Sequence, residues 1–202
     1  MKIFCVGRNY SEHARELGNA VPEYPVIFSK PDTALLKNGE SFYLPDFSND
    51  VHHEVELVIK ISKVGKKIQE QFAGNYFNEI GLGIDFTARD LQSSLKAKGL
   101  PWELAKGFDG SAPLGDFMNV KDVDLKNISF GLKKNGNLVQ TGNSESMIFS
   151  FEKIISFVSQ YFTLKVGDLI YTGTPAGVGR VEAGDKLEGF IEDKLMLSCE
   201  VK

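Results

Sequence analysis

Apolar and polar residues alternate along residues 54–62, and this alternation predicts a β-strand. The apolar residues at every second position are Val55, Leu57, Ile59 and Ile61. Because successive side chains of a strand point to opposite faces, the strand has one buried apolar face, and Glu54 and Glu56 lie side by side on the other. Residues 79–87 predict a second buried strand, in which glycines mark places where backbone or ligand approaches closely.

The rest of the pattern predicts a β-rich chain with few helices. Apolar and capping residues predict helices over 10–18 (ended by Gly18), 88–97 and 150–162 (capped by Ser150). Alternation around an Asn-Gly pair predicts a β-hairpin over 128–140. Four of the seven prolines lie in 19–53, which favours extended, turn-rich chain, while 2–6 and 165–202 predict short strands. Together these elements predict an α+β fold rather than a regular βαβ repeat.

Composition narrows the class of protein. The 202 residues suit one domain, and 42% hydrophobic with 25% charged residues is ordinary for a globular protein. A net charge of −4 without a basic run speaks against a nucleic-acid partner. Cys5 and Cys199 show no metal spacing, so we expect two buried reduced thiols. The N-terminal apolar run stops at Val6, and no stretch is long enough to span a membrane, so we expect a cytoplasmic protein.

The two neighbouring glutamates are the sharpest chemical feature of the sequence. Glu54 and Glu56 repel each other, and a shared divalent cation would remove that repulsion. Asp85, at the end of the second buried strand, is the natural third ligand, and oxygen ligands favour Mg²⁺, Mn²⁺ or Ca²⁺. His52 shares their face and could join them, which would favour zinc or manganese, or it could be a strand-entry residue. The alternative is that both glutamates sit on a solvated strand face.

A second group of polar residues offers acid–base and anion-binding chemistry. His13 and Glu16 are neighbours on a helix, where the carboxylate would orient a general base, unless this is an exposed helix of mixed charge. Arg89 and Gln92 lie one helical turn apart and could hold a substrate carboxylate. Lys106, among apolar and glycine neighbours, is either a partly buried cation or a surface lysine with a buried stem.

A glycine-rich segment over 172–179 could bind an anion through backbone N–H groups and threonine hydroxyls. It lacks the Gly-Lys-Ser/Thr ending of a phosphate-binding P-loop and the GxGxxG spacing of a dinucleotide site. A plain tight turn is the alternative.

Six segments, in this order, resemble the fumarylacetoacetate hydrolase family. They are Val6–Tyr10, His52–Leu57, Gly83–Asp90, Lys106–Asp109, Val166–Asp168 and Thr172–Pro175. The resemblance spans nearly the whole chain and is closest to the short single-domain members that act as acylpyruvate hydrolases or oxaloacetate decarboxylases. It implies a single catalytic domain over 1–202, a mixed β-sheet roll of the family's C-terminal type, a lid over residues about 8–20 and a homodimer.

The same resemblance implies roles for individual residues. The implied metal carboxylates, for Mg²⁺ or Mn²⁺, are Glu54, Glu56 and Asp85. The implied catalytic residues are His13, Glu16 and Lys106. The implied substrate contacts are Arg89, Gln92 and Thr174. Asn9 stands near a position where the longer members place a further metal carboxylate, so three protein ligands are expected here.

The activity that the resemblance implies is cleavage of a C–C bond in a small 2-oxo acid through a metal-stabilised enolate, by acylpyruvate hydrolysis or oxaloacetate decarboxylation. Two alternatives remain open at this point. One is isomerisation of a 2-hydroxy-dienedioate in aromatic breakdown, which uses the same intermediate. The other is a metal-dependent dicarboxylate-binding protein without catalytic activity. Neither nucleic acid nor a membrane is expected as a partner.

Overall fold

Strands dominate the computed structural model, which describes residues 1–16 and 20–202. The strands are β1 (Ile3–Gly7), β2 (Val26–Lys30), β3 (Leu35–Lys37), β4 (Val51–His53), β5 (Val55–Ile61), β6 (Phe77–Ile84), β7 (Thr87–Ala88), β8 (Ala112–Asn119), β9 (Ser129–Lys134), β10 (Asn137–Asn143), β11 (Leu169–Tyr171), β12 (Gly179–Arg180), β13 (Lys186–Ile191) and β14 (Lys194–Glu200). The α-helices are α1 (Ser11–Glu16), α2 (Glu70–Ala73), α3 (Arg89–Ala97), α4 (Glu103–Lys106) and α5 (Phe151–Tyr161). The predicted α+β class, rich in strands with a few short helices, is confirmed.

The described strands form three sheets. The seven-stranded sheet has the order β2-β1-β11-β5-β6-β8-β3, the four-stranded sheet β10-β9-β13-β14 and the three-stranded sheet β12-β4-β7. The pairs β1–β11 and β3–β8 are parallel, and the other pairs of the large sheet are antiparallel, so the sheet is mixed as predicted. Strand β5 lies in its middle, between β11 and β6. This central position decides how its two glutamates are enclosed.

The prediction that β5 buries only its apolar face is wrong, because both faces are covered. The alternating apolar residues of β5 pack into the main core, as expected. On the opposite face, Val58 belongs to a second buried cluster that includes Ile3, Leu169 and Tyr171. Glu56 on that face is 2% exposed. A solvated glutamate face is therefore excluded, and the carboxylate must be stabilised by groups inside the protein.

The hairpin and the longest predicted helix are confirmed. Asn135 and Gly136 both have positive φ, 53° and 80°, as a two-residue turn between β9 and β10 requires. Ser150 caps α5 by accepting a hydrogen bond from the backbone N–H of Lys153 at 3.2 Å. Helix α1 begins at Ser11, and its predicted end at Gly18 lies outside the described residues. Of the helices in the described part of the chain, none combines the length and apolarity needed to cross a membrane.

Candidate metal centre and substrate cavity

Three carboxylates meet where β5 and β6 end side by side. Glu54 directly precedes β5, Glu56 is its second residue, and Asp85 directly follows β6. The antiparallel ladder pairs Glu56 with Gly83, and one step further the backbone N–H of Asp85 donates to the carbonyl of Glu54 at 2.8 Å. One oxygen from each carboxylate lies within 4.8 Å of the others. The ladder register alone thus brings together three acidic residues separated by up to 31 positions in sequence.

Two glycines allow the backbone to approach Glu56 closely. A Cβ atom on Gly83 would lie 2.4 Å from the Tyr171 ring, so only glycine fits at the position paired with Glu56. Gly173 has φ of +104°, and its N–H donates to Glu56 Oε2 at 2.7 Å. The glycine-rich segment does bind an anion through backbone N–H groups, as its composition suggests, but here that anion is a carboxylate of the protein.

Three buried cations surround the carboxylates. Lys106 Nζ lies 2.7 Å from both Glu54 Oε2 and Asp85 Oδ2. Lys30 Nζ lies 2.8 Å from Asp85 Oδ1, and Arg89 contacts Glu54. Since Lys106 is 3% exposed, the surface-lysine alternative is wrong. Glu54 thus lies beside two cations, and so does Asp85. Glu56, in contrast, has no basic side chain within 4.0 Å in the described chain.

Because Glu54 lies beside cations and Glu56 does not, the pKa values of these two carboxyl groups shift in opposite directions. Burial raises the pKa of Glu56 well above its ordinary value, and the charges of Asp85 and Glu54 raise it further. Burial would also raise the pKa of Glu54, but Lys106 and Arg89 outweigh it and hold that pKa below its ordinary value. Burial lowers the pKa of Lys106, yet Asp85 and Glu54 more than compensate, and it is raised. A further positive charge beside Glu56 would relieve this repulsion.

Asp85 keeps an unused acceptor at the same point. Its Oδ1 is buried and accepts no hydrogen bond within the described residues, although Lys30 Nζ is near. The Lys30 ammonium instead donates to the carbonyls of Phe86, Lys106 and Ser111. Among these residues, Asp85 Oδ1 thus has an ion-pair contact but no directed hydrogen bond, and it keeps lone pairs for a further ligand. This oxygen and Glu56, which has no adjacent cation in the described chain, fit an oxygen-liganded divalent cation.

The His–Glu pair closes one side of this site. His13 Nδ1 lies 3.2 Å from Glu16 Oε2, and His13 is 4% exposed, so the exposed-helix alternative is wrong for this residue. The Glu16 carboxylate also accepts from the backbone N–H of Gly177, at 3.1 Å to Oε1. These contacts join α1 to the glycine-rich segment and hold the imidazole toward the carboxylates.

A cavity opens above the three carboxylates. Eight of the nine predicted site residues line it: His13, Glu54, Glu56, Asp85, Arg89, Gln92, Lys106 and Thr174. Arg89 Nη1 donates to Gln92 Oε1 at 2.7 Å, which orients the guanidinium. The ninth residue, Glu16, contacts the cavity through His13. The structure therefore assembles the predicted set in one place, while the role of each residue stays a prediction.

His52 and Asn9, which the sequence analysis considered near the metal site, bind other groups of the protein. His52 Nε2 bonds Asp50 Oδ1 at 2.9 Å, and the described chain does not place it among the potential metal ligands. Asn9 donates to the carbonyls of Phe149 and Thr172 at 3.1 and 2.7 Å and accepts from the N–H of Phe149 at 2.7 Å. With its amide fully bonded, Asn9 fixes β1 against the segment after β11.

Sequence reasoning missed Lys30, beside the carboxylates, and several residues that line the cavity. Lys30 gave no signal, because neither its neighbours nor its spacing marks a buried ammonium. Lys96 could have been found, since it continues the helical spacing of Arg89 and Gln92. The remaining lining residues without a predicted role are Val6, Gly7, Arg8, Phe28 and Trp102.

Comparison with known proteins extends this picture. Oxaloacetate tautomerase FAHD1, mitochondrial, of Bos taurus is 43% identical over 201 residues, which are 99% of this chain and 91% of the relative. The crystal structure of fumarylpyruvate hydrolase from Pseudomonas aeruginosa, in complex with Mn²⁺ and pyruvate, has a TM-score of 0.93 at 36% identity and matches 100% of this chain and 89% of that chain. The structure of 2-hydroxyhepta-2,4-diene-1,7-dioate isomerase from Mycobacterium marinum has a TM-score of 0.86 at 36% identity. The match covers 99% of this chain and 73% of that chain.

Because the oxaloacetate tautomerase of Bos taurus is described as mitochondrial, the cytoplasmic location of this chain stays a prediction. The structural neighbours confirm the predicted type of mixed β-sheet roll. The family profile described as fumarylacetoacetate (FAA) hydrolase C-terminal matches residues 2–202, nearly the whole chain. The chain belongs to the fumarylacetoacetate hydrolase family.

Proposed function

We propose that the chain is a single-domain, divalent-metal-dependent enzyme that cleaves a C–C bond in a small 2-oxo acid, by hydrolysis of an acylpyruvate or decarboxylation of oxaloacetate. The observation that carries this proposal is the buried carboxylate cluster, in which one oxygen of each of the three carboxylates lies within 4.8 Å of the others and Glu56 has no basic side chain within 4.0 Å in the described residues. We also propose a homodimer, as the family resemblance implies.

Glu54, Glu56 and Asp85 would hold the metal ion, Mg²⁺ or Mn²⁺. The neighbouring fumarylpyruvate hydrolase binds Mn²⁺ together with pyruvate, which supports a hard cation and a 2-oxo acid at this site. When bound, the cation supplies Lewis acidity that stabilises negative charge developing on the substrate's keto oxygen.

Basic and polar side chains bind and orient the substrate. Arg89 and Gln92 are hydrogen bonded to each other and present donors to a carboxylate in the cavity. Thr174 supplies a hydroxyl to the cavity, and this hydroxyl accepts a hydrogen bond from Gln140 at 2.9 Å. Lys106 keeps its positive charge in the buried site, because its pKa is raised, and stabilises an oxyanion nearby.

His13 acts as general base in hydrolysis. Glu16 binds Nδ1 of the imidazole, which fixes the tautomer that leaves Nε2 free to accept a proton from water. Residues about 8–20 act as a lid, and the hydrogen bond from the Gly177 N–H to Glu16 is one of the described contacts that hold it against the cavity. Of this segment, 17–19 lie outside the described residues. In decarboxylation the lid excludes water from the substrate.

A second candidate is isomerisation or tautomerisation at the same site. The tautomerase and isomerase among the relatives favour it. Both reactions move a proton between atoms of a substrate with a conjugated carbonyl group, and His13 can accept and return that proton. A purely binding protein would not need the oriented His13–Glu16 pair, which supports an enzyme.

The reaction is tested by incubating metal-loaded protein with acetylpyruvate, fumarylpyruvate and oxaloacetate and following each product by chromatography and ultraviolet absorbance. We expect turnover of at least one substrate and its loss after EDTA treatment, with recovery on adding Mg²⁺ or Mn²⁺. Turnover that survives complete metal removal contradicts the metal-dependent mechanism. Binding of all three without any product would show a binding protein.

The role of His13 is tested by His13→Ala. We expect hydrolysis to fall by about 100-fold or more, as loss of a general base does, while Mn²⁺ affinity changes much less. Glu12→Ala, on the exposed side of the same short helix, is the matched control and should keep its activity. An equal loss of Mn²⁺ binding and hydrolysis in His13→Ala would contradict the assigned role.

A further inference from the structure

The outer wall of the cavity carries two cations that the carboxylate cluster does not use. Lys30, Lys106 and Arg89 each lie against Glu54 or Asp85. Arg8 and Lys96 line the same cavity and are partly buried, yet within residues 1–16 and 20–202 neither lies within 4.0 Å of a carboxylate. Unpaired cations in a concave site raise the local concentration of anions and favour their binding.

Arg8 is held in an unfavourable backbone conformation. Its φ is +62°, in the left-handed region that non-glycine residues rarely adopt. It directly follows β1, whose last residue, Gly7, also lines the cavity. Glycine would make the same turn without strain, so an arginine here indicates that its side chain is needed at the cavity.

Lys96 reaches the cavity from the same face of α3 as the two predicted substrate contacts. It lies one turn beyond Gln92, which lies one turn beyond Arg89, and all three line the cavity. Its ammonium stands 5.7 Å from the centre of the Trp102 ring. Burial lowers the pKa of Lys96, and the charges of Arg8 and Arg89 lower it further. An anion between Arg8 and Lys96 would relieve this repulsion.

The wall beside these cations is apolar. Phe28 and Trp102 line the cavity with ring centroids 6.0 Å apart, and Lys106 Nζ lies 5.2 Å from the Phe28 ring centroid. Phe28 therefore lies beside Lys106, and its neighbour Trp102 lies beside Lys96. A short carbon chain fits against such rings better than a second polar group does.

Resting on the proposed function, we propose that Arg8 and Lys96 form a second anion subsite that binds a carboxylate at the far end of the substrate. The preferred substrates are then 2-oxo dicarboxylic acids, with one end at the carboxylate cluster, a short chain against Phe28 and Trp102, and the other end at Arg8 and Lys96. A 2-oxo acid with an apolar tail leaves both cations unpaired and binds more weakly.

The test compares ligands that differ only in the distal carboxylate. Dissociation constants are measured by calorimetry, with and without Mn²⁺, for 2-oxoglutarate against 2-oxovalerate and for 2-oxoadipate against 2-oxohexanoate. We expect the dicarboxylate of at least one pair to bind at least tenfold more tightly to the wild-type chain. We expect Arg8→Asn and Lys96→Gln each to lower that ratio at least fivefold.

Two features keep the result interpretable. Asparagine tolerates positive φ, so Arg8→Asn removes the charge without adding backbone strain, and thermal melting confirms its folding. Lys98→Gln removes an exposed cation from the end of the same helix and should leave the ratio unchanged. A ratio near one for both pairs in the wild-type chain, or an undiminished ratio in both variants, overturns the subsite.

Failure of the proposed function gives a different result. Oxalate probes the metal end alone, because it has no distal group. Oxalate binding that does not depend on Mn²⁺ contradicts the metal centre, whatever the ratio of the paired ligands. The ratio of the paired ligands decides the subsite by itself, since it is measured in both the presence and the absence of Mn²⁺.

Discussion

Lys30 is a buried cation that contacts both Asp85 and the backbone around the carboxylate cluster. It is 2% exposed and combines an ion pair to Asp85 with hydrogen bonds to three backbone carbonyls. Lys30→Met should lower the free energy of unfolding by about 3–5 kcal/mol, because it removes one of the two cations beside the buried Asp85 carboxylate and one donor from each of three backbone carbonyls. Urea unfolding of the metal-free protein measures the change.

The control for this prediction is the same substitution at an exposed ion pair. Lys60 lies 2.7 Å from Glu79, with side-chain exposures of 41% and 38%. Lys60→Met should cost less than about 1 kcal/mol, since solvent screens such pairs. Similar losses for Lys30→Met and Lys60→Met would show that burial of the pair around Asp85 has been overestimated.

At the residue scale, the sequence could predict which side chains offer ligands to a metal ion but not which groups surround them in the folded protein. The alternation that placed Glu54 and Glu56 on one face, and the buried character of the strand before Asp85, were enough to nominate three ligands. The cation of Lys30 could not be predicted, because it comes from β2, inside the proline-rich segment whose composition predicts only extended chain. Burial of a lysine depends on long-range packing, which leaves no local pattern.

One carboxylate joins two turns in the four-stranded sheet and gives a pH-dependent contact. Asp185 accepts hydrogen bonds from Asn135 Nδ2 at 2.7 Å and from the N–H of Glu182 at 2.8 Å. Burial alone would raise its pKa, but these hydrogen bonds and Lys134 lower it below the ordinary value. The ionised form is therefore stabilised by folding, and this contribution is complete above the unfolded pKa of about 3.9 and is lost as pH falls through the folded pKa.

Asp185→Asn should reduce stability at pH 7 by roughly 1 kcal/mol, because the partners lose a charged acceptor. The gap between variant and wild type should stay constant from pH 7 to about pH 5 and close below about pH 4. Urea unfolding at each pH measures it. Asp193→Asn, in the exposed turn between β13 and β14, is the control. A gap that widens on acidification would reverse the assigned sign.

At the element scale, the sequence predicted turns and helix caps correctly where they depend only on neighbouring residues. The Asn135–Gly136 turn and the Ser150 cap need only a few adjacent residues, and both were predicted. Strand β8 escaped prediction, because its sequence, Ala112–Asn119, carries glycine, proline and aspartate and becomes a strand by pairing with β6 and β3. The second apolar cover of β5 was missed for the same reason.

Both cysteines report on the integrity of the whole molecule. Burial raises the pKa of Cys5 well above its ordinary value and that of Cys199 to about 11. Cys5 lies in β1 of the large sheet and Cys199 in β14 of the four-stranded sheet. The native protein should therefore react with a thiol-specific disulfide reagent at pH 8 at least 100-fold more slowly than a free thiol, and unfolding in urea should release two reactive groups. Rapid reaction of either thiol in the native protein would contradict its burial.

Whole-molecule assembly explains why the candidate site is more predictable than its surroundings. Two strand ends and one register bring Glu54, Glu56 and Asp85 together, and the six segments of family resemblance preserve that order. The cavity wall depends on the end of β1, β2, α3 and α4 meeting in space, which a single sequence does not reveal. Arg8 and Lys96 were missed as a pair for this reason.

The account depends on a divalent cation bound by three carboxylates, and Mn²⁺ titration of the metal-free chain by calorimetry tests it most directly. We predict one saturable Mn²⁺ site per chain and a loss of affinity of about 100-fold or more in Glu56→Gln, an uncharged substitution that keeps the side-chain shape. Glu79→Gln, at the half-exposed start of β6 where Glu79 pairs with Lys60, should bind Mn²⁺ like the wild type. Absence of saturable binding, or equal affinity in Glu56→Gln and wild type, would contradict the account.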